Sequence, residues 1–505
     1  MHDKVDVLII GSGASGATVA WSLANTNMRI VCLEQGDCVS PNYDPSNRRD
    51  QGSHTYGDFA TLPIRRGSPA DYPINDIGSP IKIVNVNSVD CSTIMCMGQF
   101  PRLHPSDFKV RSLDGVADDW PIDYDTLEPF YAESDRMMRV SGLAGDPAYS
   151  PKQPPMPLLP LGKSGSHLAE AINRLDWHWW PSDATIASTD IAYWPHAIRA
   201  GVELRTACRV REITLNEHGM ASGVVYYDRD GKEHFQGAEI VVMACNGVGT
   251  PRLMLNSISG KFPNGIANSS GLVGKNLMLH PNGYAYGCVD DPMDSRGPTL
   301  CLTSQEFCET EARRDFVRGY TFQFVLGAPS ILETMVFAAN GRLPWGEGHH
   351  RVYRHMMEHR IGTAVVCEDL PEGHNRLTLD PVLRDSHGIP APKIDYTLGQ
   401  NSRKMLAHGV ARAKEILAAT GARDIACEVP LPSAGSDILG TARMGPDPER
   451  SVVNEWGRCH DVKNVFIVDG SIWVTSGGVN PTSTIQALAL YVADSIKQRR
   501  AKLFD

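Results

Sequence analysis

An α/β fold, with a dinucleotide-binding unit assembled from both ends of the chain, is what this sequence of 505 residues predicts. Three observations carry that expectation. A strand of buried type runs into a Gly-x-Gly-x-x-Gly turn and a helix within the first thirty-six residues. An acidic residue closes the next strand, 18 positions after the last of those glycines. Near the other end, a second apolar strand at 465–468 opens onto Asp469-Gly470 ahead of an apolar helix at 483–498.

Residues 5–10 are apolar apart from Asp6, the pattern of a strand covered on both faces of a parallel sheet. In the turn that follows, Gly11 permits the sharp reversal. Gly13 lets the backbone approach a pyrophosphate, and Gly16 lets the helix pack close to the strand. The helix at 17–25 then offers free N–H groups and the positive end of its dipole to phosphates. A strand at 29–33 ends at Glu34, which is placed to accept from ribose hydroxyls and whose charge disfavours a 2′-phosphate. These residues alone suit NAD and FAD equally.

Further along, residues 37–80 are rich in Pro, Asn, Arg and Asp and read as irregular chain, and 125–140 reads as an acidic helix. The Pro-rich run at 151–160 marks a connector. Strands are expected at 202–213, 221–227 and 238–244, followed by a loop into a helix at 247–257. From 291 to 430 the pattern shifts to longer alternating stretches with an amphipathic helix at 401–420, the look of a second domain.

Composition narrows the function. Lys and Arg number 48 against 58 Asp and Glu, a net charge of −10, so nucleic acid and anionic membrane surfaces are not expected partners. No apolar run reaches the ~20 residues of a membrane span. Asp3, Lys4 and Asp6 break any signal-peptide core, and the 12 cysteines form no CxxC pair. Free thiols in the cytoplasm are the expectation.

Several stretches resemble the glucose–methanol–choline (GMC) family of FAD-dependent oxidoreductases, in particular its bacterial sugar- and alcohol-oxidising branch. They are residues 6–36, 92–108 with Pro101-Arg102-Leu103, Asp119-Trp120-Pro121-Ile122, 244–252, Gly440-Thr441-Ala442-Arg443-Met444-Gly445, and 464–485 with Asn480-Pro481. They follow the family's order. The resemblance implies FAD on a split Rossmann-like domain at 1–160, 196–290 and 432–505. It also implies a connector or lid at 161–195 and an α+β substrate domain at 291–431 built on a mainly antiparallel sheet. By the same resemblance Gly11, Gly13, Gly16 and Glu34 match the ADP site and Val210 a backbone contact to adenine. Ser92 and Thr93 line the diphosphate and ring, Asp469 and Gly470 form the late FAD loop, and Asn480, Pro481 and Thr482 edge the isoalloxazine. The implied reaction is oxidation of an alcohol or sugar by hydride transfer to flavin N5, with oxygen or another molecule as final acceptor. An oligomer is compatible with this reading.

Three departures bear on the chemistry. Where the family's catalytic His stands three residues before Gly-Thr, this chain has Asp437, leaving Asn480 and Asp437 as the catalytic pair. An ionised carboxylate there opposes negative charge growing on the reduced flavin, and a buried one turns into a protonated donor. Asp90-Cys91 replaces the usual Gly-Gly before Ser92, and the loop ahead of Ser188-Thr189-Asp190 is short. Two other readings stay open on this account: a GMC-fold flavoprotein with redirected, lyase-like chemistry, and a catalytically impaired subunit of a hetero-oligomer. His349, His350, His355 and His359 lack an HExxH frame, so no metal is expected. His280 and His460 read as packing residues. Trp177, Trp179 and Trp180 read as core, with a sugar-lining role as the alternative.

Overall fold

The computed structural model describes residues 4–38, 70–89, 98–185, 187–293, 300–325, 341 and 343–499. Its strands in chain order are β1 Val5–Ile10, β2 Ile30–Leu33, β3 Trp180–Pro181, β4 Glu203–Arg205, β5 Arg209–Leu215, β6 Ala221–Tyr227, β7 Glu233–Met243 and β8 Asn282–Cys288. They continue with β9 Leu300–Phe307, β10 Tyr320–Val325, β11 Arg360–Cys367, β12 Arg376–Arg384, β13 Pro390–Asp395, β14 Arg423–Glu428 and β15 Val465–Ile467. Five helices frame the site: α1 Ala14–Ala24, α2 Tyr124–Met137, α3 Asn246–Asn256, α4 Gln400–Ala419 and α5 Thr482–Arg499.

β1 lies at the centre of a seven-stranded sheet, parallel to β2 on one side and β7 on the other. β4 extends the sheet beyond β2, and β15 runs parallel to β7. β6 and β5 add an antiparallel ribbon. Asp6, the one polar residue of β1, accepts from the Arg29 amide at 2.7 Å, which resolves the break in the apolar pattern. Both ends of the chain thus supply one layer. Small residues bring α1 and α5 close: Ala17 and Ala20 share a buried cluster with Ala489, Val492, Ala493 and Ile496. Each large aliphatic in that cluster contributes ~1.5–3 kcal/mol by leaving water.

A second sheet is antiparallel, in the order β14-β8-β11-β10-β9-β3, as the family resemblance implied. α4 covers one face through Met405, Leu406, Val410, Ala413 and Leu417, packed with Tyr320, Phe322 and Val365. Its apolar stripe at i, i+1, i+5 and i+8 explains why this helix was legible. Among the described residues no helix is long and apolar enough to cross a membrane.

The chain departs from expectation in three places. The expected strand 202–213 is interrupted, because Ala207 (φ 52°) turns the backbone so that Ala207 and Cys208 donate to the carbonyls of Gly36 and Glu34. α3 begins at Asn246, without the expected loop, because Asn246 Oδ1 accepts from the amides of Val248 and Gly249 at 2.8 and 3.1 Å. β8, within 196–290, and β3, within 161–195, both pair in the antiparallel sheet.

Candidate active site

At the carboxyl end of β1 the glycine turn is tightly built. Gly11 has φ 97°, and a Cβ there would stand 2.4 Å from the Ala244 carbonyl oxygen; one on Gly16 would stand 2.0 Å from the Gly11 oxygen. Gly13 caps α1 in extended conformation with no side-chain cap, and no acidic residue stands in the first turn. The first amides of α1 therefore face outward unneutralised, the arrangement that binds phosphate. Glu34 is buried. Its Oε2 accepts from the Ser12 amide and hydroxyl, both at 2.8 Å, and its Oε1 from the Gly36 amide at 2.8 Å. Burial raises the Glu34 pKa, against the pull of those donors and of the Gln35 amide. Val210 lies on β5, two residues beyond Cys208, whose amide donates to Glu34.

Opposite this turn, Asp469 Oδ1 accepts from the Ser471 amide at 2.9 Å and Oδ2 from Thr250 at 2.5 Å, so Gly470 sits in a fixed corner against α3. The Gly440 amide donates to the Gly470 carbonyl at 3.0 Å. Ser471 Oγ is buried without a protein partner, as are Ser88 Oγ, Asn87 Nδ2 and both amide atoms of Gln99. The last three bracket the segment that carries Asp90, Cys91, Ser92 and Thr93, residues that lie outside those described. Glycines that exclude any Cβ, an uncapped helix and unpartnered buried donors fit a dinucleotide such as FAD.

The structure brings Asp437 and Asn480 into one neighbourhood through a residue that sequence reasoning treated as packing. His280 is fully buried; its Nδ1 lies 2.8 Å from Asp437 Oδ2 and its Nε2 2.9 Å from the carbonyl of Gly477, three residues before Asn480. Asp437 is held by pairing of Leu439 with Met278 and keeps part of its side chain accessible. Burial lowers the His280 pKa, but the hydrogen bond and charge of Asp437 outweigh it and the net direction is upward. Asp437 is therefore neither a lone anion nor a lone buried acid, the two cases drawn from its sequence position. Nothing in local spacing links positions 157 residues apart; Leu279-His280-Pro281 resembles a family position after the nucleotide domain but gives no hint of Asp437.

Asn480 Oδ1 accepts from Gln323 Nε2 at 2.5 Å, which joins the site to the second sheet. Thr321, two residues earlier on the same face of β10, donates to Gln305 at 3.0 Å, and Gln305 donates to the Tyr149 hydroxyl at 3.0 Å. These side chains form a largely buried run of amides and hydroxyls, with His104 Nε2 3.4 Å from Gln305 and the Lys152 ammonium over the Tyr149 ring. Pro481 precedes and Thr482 begins α5, which docks on α2 through Thr484–Tyr131 and Gln486–Ser134 contacts of 2.7 Å each. The tryptophan cluster is divided: Trp177 packs on Phe307, while His178 bonds Asp146 at 2.9 Å. His460 bonds Ser451, a structural contact.

Beneath the 475–477 turn lies a buried charge cluster. Arg318 contacts Glu368 at 2.9 Å, Asp114 at 3.3 Å and Asp107. Thr475 donates to the Asp107 carbonyl at 2.8 Å, and Ser476 exchanges hydrogen bonds with the backbone of Asp369. Burial raises Glu368 to about 7 and Asp369 to about 6. In the folded state both carboxyls release their protons only toward those values, whereas the unfolded chain releases them near pH ~4, so their effect lowers stability as pH climbs from ~4 toward 7. His280 acts in the same direction: its stabilisation is present below ~6.5 and lost as pH rises through its raised value. The exposed carboxylates with lowered pKa, such as Asp37 and Asp123, matter only below pH ~4. Calorimetry of the flavin-saturated protein is therefore expected to give a higher Tm at pH ~5.5 than at pH ~8. A Tm that rises across that interval would contradict this account of the cluster.

Comparison with known proteins agrees with this geometry. Models of the GMC oxidoreductase family match residues 182–282 and 371–489, and an NAD(P)-binding Rossmann-like model matches 9–67. The 2-methyl-1,2-propanediol dehydrogenase of Mycolicibacterium austroafricanum is 36% identical, covering 100% of this chain and 97% of its own. The fructose dehydrogenase large subunit of Gluconobacter japonicus is 28% identical over 98% of each chain. Among solved structures, pyridoxine 4-oxidase from Mesorbium loti superposes with a TM-score of 0.69 at 18% identity, covering 98% of this chain and 99% of that one. A formate oxidase does so with 0.69 at 15% identity over 100% of both chains.

Proposed function

This chain belongs to the GMC oxidoreductase family and is an FAD-dependent oxidoreductase, and from that premise we propose that it oxidises a hydroxyl-bearing carbon of a small polyol or sugar. FAD, when bound, would supply the two-electron acceptor for the hydride that leaves that carbon. Every other task falls to the chain. Asp437 takes the hydroxyl proton on its carboxylate, so the alcohol becomes a carbonyl as hydride and proton leave it. Asn480 holds the substrate oxygen through its amide, itself fixed by Gln323. Gly11, Gly13, Gly16, Glu34 and Val210 hold the ADP half of the cofactor. Ser92, Thr93, Asp469, Gly470, Pro481 and Thr482 hold the flavin half, with Asn480 at its edge.

One observation carries this reading: a partly accessible carboxylate, oriented at 2.8 Å by a buried histidine, on the same turn cluster as Asn480. The hydrogen-bonded run of Gln305, Thr321 and Tyr149 behind Gln323 favours a ligand recognised through several hydroxyls, in keeping with relatives named for a propanediol and for fructose. The final electron acceptor would be oxygen or another molecule. We assign 1–160, 196–290 apart from β8, and 432–505 to the FAD unit, 161–195 to a connector or lid that lends β3 to the second sheet, and 291–431 to the substrate unit. The nine cysteines whose side chains are described are free thiols, which suits the cytoplasm.

Anaerobic mixing with a panel of diols, polyols and sugars tests the proposal. Bleaching of the flavin band by at least one is the expected result, and Asp437→Asn is expected to slow it ~10²–10⁴-fold with flavin content unchanged. Tight flavin with no bleaching by any of them would point to lyase-like chemistry. A colourless protein would point to an impaired subunit.

A further inference from the structure

His280 is surrounded by acceptors. Nδ1 faces Asp437 Oδ2 at 2.8 Å, and Nε2 faces two carbonyl oxygens, Gly477 at 2.9 Å and Ser476 at 3.3 Å. A carbonyl has no hydrogen to give, so Nε2 must carry one. The contact to Asp437 needs a second hydrogen between ring and carboxylate. A neutral imidazole next to an ionised carboxylate would leave two lone pairs facing each other inside the protein, which low dielectric makes costly. A carboxylic acid is a stronger acid than an imidazolium, so that second proton belongs on the ring.

Charge on every side of the ring agrees. Asp437 approaches from the 436–440 loop, and Glu368 acts on His280 electrostatically from the end of β11. Asp369, next in sequence, accepts from the Leu279 amide at 3.2 Å. Arg318, the nearby buried cation, is already surrounded by Glu368, Asp107, Asp114 and Glu309. The pocket has acidic groups to spare.

We infer that His280 is a positioning residue held as a buried imidazolium, which keeps Asp437 ionised and aimed while clamping the Ser476–Gly477 turn that leads to Asn480. The His280–Asp437 pair is net neutral. It provides, from two residues, what a single histidine at 437 would provide: a proton acceptor at the reacting carbon without a fixed negative charge beside the flavin. Gly477 (φ 63°) lets its carbonyl turn toward Nε2, and a Cβ there would stand 2.4 Å from Leu103. The kinetic part of this inference rests on the proposed roles of Asp437 and Asn480; the protonation part does not.

The test has two arms. In holoenzyme labelled with ¹⁵N-histidine, both ring nitrogens of His280 are expected to stay protonated well above pH ~6.5 and to lose a proton earlier in Asp437→Asn. A neutral ring at that pH, with no response to D437N, would overturn the inference. In the second arm, rates of flavin reduction are compared for His280→Gln, D437N and the double variant across pH. Glutamine keeps one donor and similar size. H280Q is expected to lower kcat about 10–100-fold with KM within about threefold, and to abolish the alkaline limb of the wild-type profile. The double variant should fall within about threefold of D437N, because the two side chains act as a unit. An unchanged alkaline limb in H280Q, or strictly multiplicative losses, would overturn it. Should H280Q fail to fold, the wild-type signals decide, assigned by their displacement in D437N. If no substrate reduces the wild-type flavin, the functional proposal falls while the nitrogen spectra still report on His280.

Discussion

Arg318→Met is expected to remove about 3–5 kcal/mol of stability, the largest loss from any single exchange discussed for this protein. Methionine fills a similar volume, so packing is nearly kept and the effect isolates the charge. Arg318 is 1% exposed and its guanidinium touches Glu368, Asp107 and Asp114 at once, with Glu309 at the rim. Without it, three buried carboxyls face one another with no cation, and Glu368 and Asp107 lose their charged partner. The damage should spread to the site, because Asp107 receives Thr475, which in turn receives Trp120 Nε1 at 2.6 Å. Urea denaturation of holoenzyme followed by flavin and tryptophan fluorescence measures it. The deficit should shrink toward pH ~5, where the abandoned carboxyls take up protons. An unchanged midpoint at pH ~7.5 would show that the cluster contributes nothing net, as some buried ion pairs do.

Gly11→Ala should strip the protein of its coenzyme. Two costs coincide at this position. The backbone sits at φ 97°, outside the range comfortable for an L residue, and the new methyl group would stand 2.4 Å from the Ala244 carbonyl oxygen, a backbone atom that cannot swing aside. Relief requires the turn to separate from the end of β7, which carries the first amides of α1 away from the phosphates. Flavin content after gel filtration is expected to drop to under about a tenth of wild type, since a shift of ~2 kcal/mol or more weakens binding at least ~30-fold. Gly115→Ala is a useful control: its φ is also positive, yet no atom lies within 4 Å of its added Cβ. Retention of full flavin by G11A would sink the assignment of this turn to the diphosphate.

How much of this was readable in the sequence depends on distance along the chain. β1, the glycine turn, α1 and Glu34 occupy thirty contiguous residues, and each follows from local rules: an apolar run, a glycine that must reverse, an acid at the next strand end. α4 was equally plain from its stripe. The antiparallel sheet was implied only through family resemblance, because its strands pair across long intervals. β8 alone contacts β11 and β14, and its short NGYAYGC run alternates too weakly to declare itself. The break at Ala207 was hidden because its cause, hydrogen bonds back to Gly36 and Glu34, lies about 170 residues upstream. The site divides the same way. Asp437 and Asn480 could be picked out from nearby motifs, whereas His280, Gln323 and Arg318 owe their significance to partners that only folding brings near. Asp437 looked like a loss when read alone. Beside His280 it is half of a pair.

The meeting of α1 with α5, and of β15 with β7, has a bearing on biogenesis. While the ribosome is still translating the middle of the message, the emerging amino-terminal segment has its glycine hairpin but not the strand and helix that close over it. Coenzyme is therefore expected to be retained only once residues 465–499 have joined the fold, and a translation product arrested before residue 465 is expected to carry none.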